Sequence, residues 1–174
     1  MAKLRKMLGQ ADDPQIITLM RLIETQSKDT LAAWAASCAK ERYLAIYEKA
    51  YPDDRRLREL IDAVTAYRHG SLTLAQLKPL LRQARTIAQE VAAPAAQAAA
   101  RAVSTACAVV QTPTNALGFV FYGAAAVAYD KAGLTASEEE YHSLAAAEFD
   151  TLAASLRAVS VPEEAHPVKI NWNC

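Results

Sequence analysis

Alanine is the feature that most restricts what this chain can become. Ten of the twenty residues from Val91 to Val110 are alanine, and triple-alanine runs recur at Ala124–Ala126 and Ala145–Ala147. Alanine loses no rotamer freedom in a helix, which makes it the best helix former. A face lined with it also lets a neighbouring helix approach toward the short end of the ~8–10 Å interaxial range. Hydrophobic residues make up 52% of the 174 residues but aromatic residues only 7%, so close helix contacts must build the core. No stretch shows sustained period-two alternation, and no Asn-Gly or Asp-Gly hairpin turn occurs. The expectation is an all-α, single-domain bundle or array of about six to seven helices with Ala-rich central helices.

Turn residues and apolar spacing divide the chain. A first helix is expected over 14–24, with Pro14 at N1 and Ile16, Ile17, Met20, Leu22 and Ile23 on its apolar face. Asp29 or Thr30 is expected to cap a second helix running to about residue 50, with Leu31, Trp34, Ala35, Cys38 and Ala45 inward and Tyr43 and Tyr47 at its side. Tyr51-Pro-Asp-Asp54 breaks the chain. Asp53 is the candidate cap of a third helix, with Asp54 in its first turn and Gly70 after its end. Thr73-Leu-Ala-Gln76 has capping-box spacing, but Pro79 implies a later start or a kink. Pro94 opens the Ala-rich helix to about Val110, and Thr112-Pro113 breaks it. A further helix ends at Gly133, and Thr135 or Ser137 caps a last one to about 159. Residues 160–174, with Pro162 and Pro167, are expected to be extended and docked through Ile170 and Trp172.

Charge and cysteine usage exclude several classes. Lys plus Arg and Asp plus Glu both total 19, so the basic excess expected of a nucleic-acid or anionic-lipid binder is missing. Three widely spaced cysteines, Cys38, Cys107 and Cys174, form no disulfide framework. Met1 to Leu8 is basic without a following apolar region, so it does not read as a secretory signal. Together these favour a reducing cytoplasm. The apolar run from Ala116 to Tyr129 is short of the ~18–20 residues a membrane span needs, so no membrane is implied.

The candidate chemistry is sparse. Glu139-x-x-His142 and Glu163-x-x-His166 have the spacing of carboxylate-bridged metal pairs, but the second lies in the Pro-flanked tail. There is no nucleophile elbow and no Gly-rich phosphate loop. No catalytic, cofactor-binding or metal-binding residue is assigned, and no cofactor. In the dense charge cluster at 53–59, Asp54–Arg58 and Arg55–Glu59 have i,i+4 spacing. On the Ala-rich helix Gln97, Arg101, Ser104 and Thr105 project on one side, and Gln111 and Asn115 fall near it if helical geometry continues. This stripe is either a solvent face or a polar seam within the bundle. A seam would need a partner for Arg101, since an unpaired buried charge is costly.

In order along the chain, Trp34-Ala-Ala-Ser-Cys-Ala39, Tyr51-Pro-Asp-Asp-Arg-Arg-Leu-Arg58 with Ile61, His69-Gly70, Ala98-Ala-Ala-Arg-Ala102, and Ala116-Leu-Gly118 with Tyr122 resemble the Imm-five-like immunity proteins of bacterial polymorphic toxin systems. The resemblance covers residues 31–132. It implies an all-α, non-enzymatic protein that neutralises a toxin by binding it, and it brings no established site residues. Relatives tend to carry histidines where this chain has Thr105, Gln111 and Asn115. These stay polar but cannot titrate near neutral pH, which favours a structural role and the seam.

Three functions are therefore in competition. The first is an immunity protein whose toxin-facing charge includes Asp53, Asp54, Arg55 and Glu138, Glu139 and Glu140. The second is a small-molecule-binding module using Gln97, Arg101, Thr105, Gln111 and Asn115. The third is an enzyme whose titratable groups meet only in the fold. A homodimer through an Ala-rich face is a further possibility.

Overall fold

Punctuation by proline, glycine and capping side chains sets the helix order. The computed structural model describes residues 3–172; Met1, Ala2, Asn173 and the third cysteine, Cys174, lie outside the described residues. Among the described residues there are seven helices and no strand. They are α1 (Pro14–Ile23), α2 (28–50), α3 (Arg56–Arg68), α4 (Leu74–Glu90), α5 (Pro94–Cys107), α6 (Asn115–Ala132) and α7 (Glu138–Val159). A 3-10 turn, Ala108–Val110, extends α5.

The starts and stops follow local chemistry. Pro14 and Pro94 open α1 and α5 at the first turn, where a missing N–H costs nothing. Thr73 and Gln76 form a complete capping box on α4. Ser137 caps α7 by accepting from Glu140 N at 3.1 Å. Gly70, at φ +81, closes α3 in a full Schellman arrangement: Ser71 N donates to Ala66 O at 2.8 Å and Gly70 N to Tyr67 O at 3.1 Å.

Several local expectations are corrected. Ser27, not Asp29 or Thr30, caps α2, accepting from Thr30 N at 3.2 Å. α3 begins after Arg55, and Asp54 rather than Asp53 serves its first N–H, accepting from Arg56 N at 3.1 Å. Neither i,i+4 pair in that cluster forms an ion pair: Arg56 takes Asp54 and Glu90, and Arg58 takes Glu48. Pro79 lies within α4 without delaying its start, on the helix's exposed side. On α1 Leu19 replaces Ile17 on the inward face, which is Ile16, Leu19 and Ile23, and Ile17 is exposed.

The core is continuous and centred on α6, which packs most extensively on α5 and next on α7. α5 presents Ala96, Ala98, Ala99, Ala100, Ala102 and Ala106 as buried residues, so its alanine face lies inside the fold. α6 buries nearly every residue from Gly123 to Tyr129. No helix is long and apolar enough to cross a membrane, among the described residues. The extended tail runs back over the corner between α1 and α2. There Val168 N donates to Gln26 O and Trp172 donates to Glu24, and buried Gln26 bonds both backbone groups of Val161.

Candidate functional site

The largest departure from regular geometry lies in α2. Lys28–Cys38 and Leu44–Ala50 are α-helical, but Ala39–Tyr43 forms a π turn, in which Leu44 N donates to Ala39 O, five residues back. One extra residue in the turn rotates all that follows by about 100°. This explains the correction on this helix. Regular spacing from Cys38 leads to Ala45, which is exposed, while Tyr43 and Tyr47, expected at the side, are fully buried. Single π turns occur often at functional positions, so what this one presents has first claim as a site.

It presents Arg42 and Tyr43 to α7. Glu148 is 3% exposed. Its carboxylate accepts from Tyr43 Oη at 2.8 Å and from Arg42 Nε at 2.8 Å, and pairs with the second guanidinium nitrogen. A buried carboxylate stays charged only with such partners. Burial, followed by the adjacent carboxylate, holds the Tyr43 hydroxyl well above its usual range. Tyr43 and Trp34 both pack on Phe119 of α6, with centroids 6.4 and 5.1 Å away.

Beside this seam α2 and α7 leave a cleft of about 520 Å³, lined among others by Trp34, Cys38, Arg42, Arg68, Thr151 and Ser155. Its polar groups already have partners. Trp34 Nε1 donates to Ser155 Oγ at 2.8 Å, Ser155 donates to Leu152 O, and Arg68 pairs with Asp29. Burial pushes the Cys38 thiol up to about 12, and that of Cys107 likewise. Neither is a thiolate nucleophile at neutral pH.

The sequence-derived candidates divide. Gln97, Arg101, Thr105, Gln111 and Asn115 are all half-buried, along an edge rather than inside. Gln97 holds two helices together, its Nε2 donating to Ala88 O at 2.9 Å and Val91 O at 3.2 Å and so closing the end of α4. Asn115 makes a long bond to Ala108 O at 3.5 Å, and Thr105 Cγ2 lies against Gly118. Asp53, Arg55, Glu138, Glu139 and Glu140 are exposed. Glu138 and His142 border a small apolar cleft of about 290 Å³ over Tyr129 and Tyr141. His142, Glu163 and His166 are exposed too, and among the described residues no three His, Cys, Asp or Glu side chains gather as a metal site.

Asp54 is engaged internally. It binds Arg56 at 2.8 and 3.0 Å and accepts from Tyr47 Oη at 2.5 Å. The Arg56 guanidinium, then the Tyr47 hydroxyl, hold it well below the usual carboxylate range. A depressed carboxyl stabilises the fold above its unfolded pKa of ~3.9 and loses that effect as pH falls below it. Asp54→Asn should therefore cost about 1–2 kcal/mol at pH 7 in urea unfolding. The gap to wild type should stay level from pH 8 to 5 and narrow progressively as pH falls below 4; a gap as wide at pH 2 as at pH 7 would exclude this origin.

A family model described as Imm-5 like putative immunity protein matches residues 21–160. The chain belongs to this family. No curated protein and no solved structure matches it. The match runs from the end of α1 through α7, so all the geometry of the π turn, Glu148 and the α2–α7 cleft lies within the family's extent. Of the three positions where histidine was expected of relatives, Asn115 bonds and Thr105 packs within the α5–α6 connection.

Proposed function

We propose that this Imm-5 like chain is a cytoplasmic immunity protein that binds a cognate protein toxin and blocks its activity, without itself catalysing a reaction. The family match over residues 21–160 carries this reading. Two physical features support it. Every buried side-chain nitrogen and oxygen among the described residues has a hydrogen-bond partner, which holds the helices and the surface they present in place. The fold's unpartnered charge is on the outside, where complementary potential speeds encounter and discriminates between partners. A preformed helical surface also binds without a large ordering cost.

Co-expression with the toxin encoded beside its gene is the test. Growth should be rescued and the two proteins should co-purify as a complex. Absence of both would overturn the proposal, and rescue by turnover of the toxin's substrate or product, with no complex formed, would replace it with an enzyme.

A further inference from the structure

α4 carries an unusual distribution of charge. Lys78, Arg82 and Arg85 are spaced i, i+4 and i+7, and all three are exposed. They therefore share one side of the helix, within about 60° of arc. The one acidic residue of α4 is Glu90, and it is paired with Arg56 of α3. That pair marks the side of α4 that faces α3. The three cations stand roughly 80–140° around the axis from Glu90, on the other side. Like charges one turn apart cost a helix a few tenths of a kcal/mol, so nothing in the helix itself favours this row.

A fourth cation joins it from α5. The bonds from Gln97 to Ala88 O and Val91 O set the register between α4 and α5. Arg101 is one turn further along the same face of α5, and antiparallel neighbours keep step at about 1.5 Å per residue. Arg101 thus comes level with Ala84 and Arg85, and it is half-exposed. Among the described residues none of the four cations forms an ion pair; the paired ones are Arg21, Arg42, Lys49, Arg56, Arg58 and Arg68. In a chain of zero net charge, this is a local positive field.

Resting on the immunity reading, we infer that Lys78, Arg82, Arg85 and Arg101 form the toxin-docking surface and that it receives a compact acidic patch of the toxin. A protein patch fits better than a polynucleotide. With 19 basic and 19 acidic residues the chain lacks the net positive charge that steers a long polyanion, whereas a patch of a few carboxylates needs only the row. Arg supplies bidentate bonds to carboxylates, and exposed cations act mainly on the association rate.

The test uses stopped-flow association of the full chain with the catalytically inactive toxin encoded beside its gene. Lys78→Glu/Arg82→Glu/Arg85→Glu should associate at least about tenfold more slowly at low salt, with a flatter dependence on ionic strength. Lys78→Gln/Arg82→Gln/Arg85→Gln should fall between it and wild type. Lys6→Glu/Lys131→Glu/Lys169→Glu changes net charge equally at exposed positions elsewhere and should associate close to the wild-type rate. All three variants alter solvent-facing side chains, and matched thermal unfolding will show them folded. If wild type binds and the α4 variants keep its rate and salt dependence, the docking surface is wrong while the immunity reading stands. If wild type does not bind, both fall. Binding of a short DNA duplex, or salt-sensitive self-association, that disappears in the Glu variant would assign the row to another partner and overturn the inference.

Discussion

Gly123→Ala is expected to lower stability by about 2–3 kcal/mol, despite alanine's better helix propensity. A methyl at that position would stand 2.7 Å from Tyr43 Cε1, and closer still to the ring's tip. Tyr43 cannot yield, because its ring is fully buried on Phe119 and its hydroxyl is held by Glu148. The glycine is therefore a notch in α6 into which the tyrosine of the π turn fits. For a chain of this size the loss corresponds to a drop in Tm of roughly 5–10 °C. The decisive comparison is the same change in a Tyr43→Leu background. With the ring gone the added methyl should cost under about 1 kcal/mol, and an unchanged cost there would show that the notch has nothing to do with Tyr43.

The second large effect concerns Glu148. Arg42→Met removes the cation facing a carboxylate that is almost wholly buried. Breaking a buried pair from one side costs about 3–5 kcal/mol, and we expect about 2–3 because Arg42 is itself partly exposed and water can approach from its side. Removing the whole group together should be far milder. Arg42→Met/Tyr43→Phe/Glu148→Leu replaces all three polar ends with apolar ones and should unfold within about 1 kcal/mol of wild type. Urea unfolding of Arg42→Met, Tyr43→Phe, Glu148→Leu and the triple variant separates the cases. A triple variant as unstable as the sum of its parts would mean that the network contributes stability that packing cannot replace.

Much of the fold was legible in the sequence because it rests on local chemistry. Pro14, Gly70, Thr73 with Gln76, Pro94, Gly133 and Ser137 all act within one helical turn of where they stand. The alanine runs pointed to close helix contacts, and they form the interior of α5 and α6. What escaped depends on tertiary context. Nothing in the sequence near Arg42 indicates Glu148, which is 106 residues away. The π turn has no breaker residue to announce it, so regular spacing placed Ala45 inward in place of Tyr43 and Tyr47. Spacing points to Asp53 as the cap of α3, but Tyr47 and Arg56, which engage Asp54 instead, are visible only in the fold. The row on α4 is different in kind. Its i, i+4, i+7 spacing is readable in the sequence, but its significance depends on which cations the fold leaves without carboxylates.

The inserted residue in α2 also governs how this chain should be compared with its kin. A single straight rod would keep one bearing along its length, whereas this one changes bearing partway, so positions 28–38 and 44–50 follow two separate counting frames. A gapless alignment against a relative without the insertion would set interior positions against surface ones over the whole second half. The apparent substitution of Tyr43 or Tyr47 by a charged residue would then reflect a shifted frame rather than a changed core.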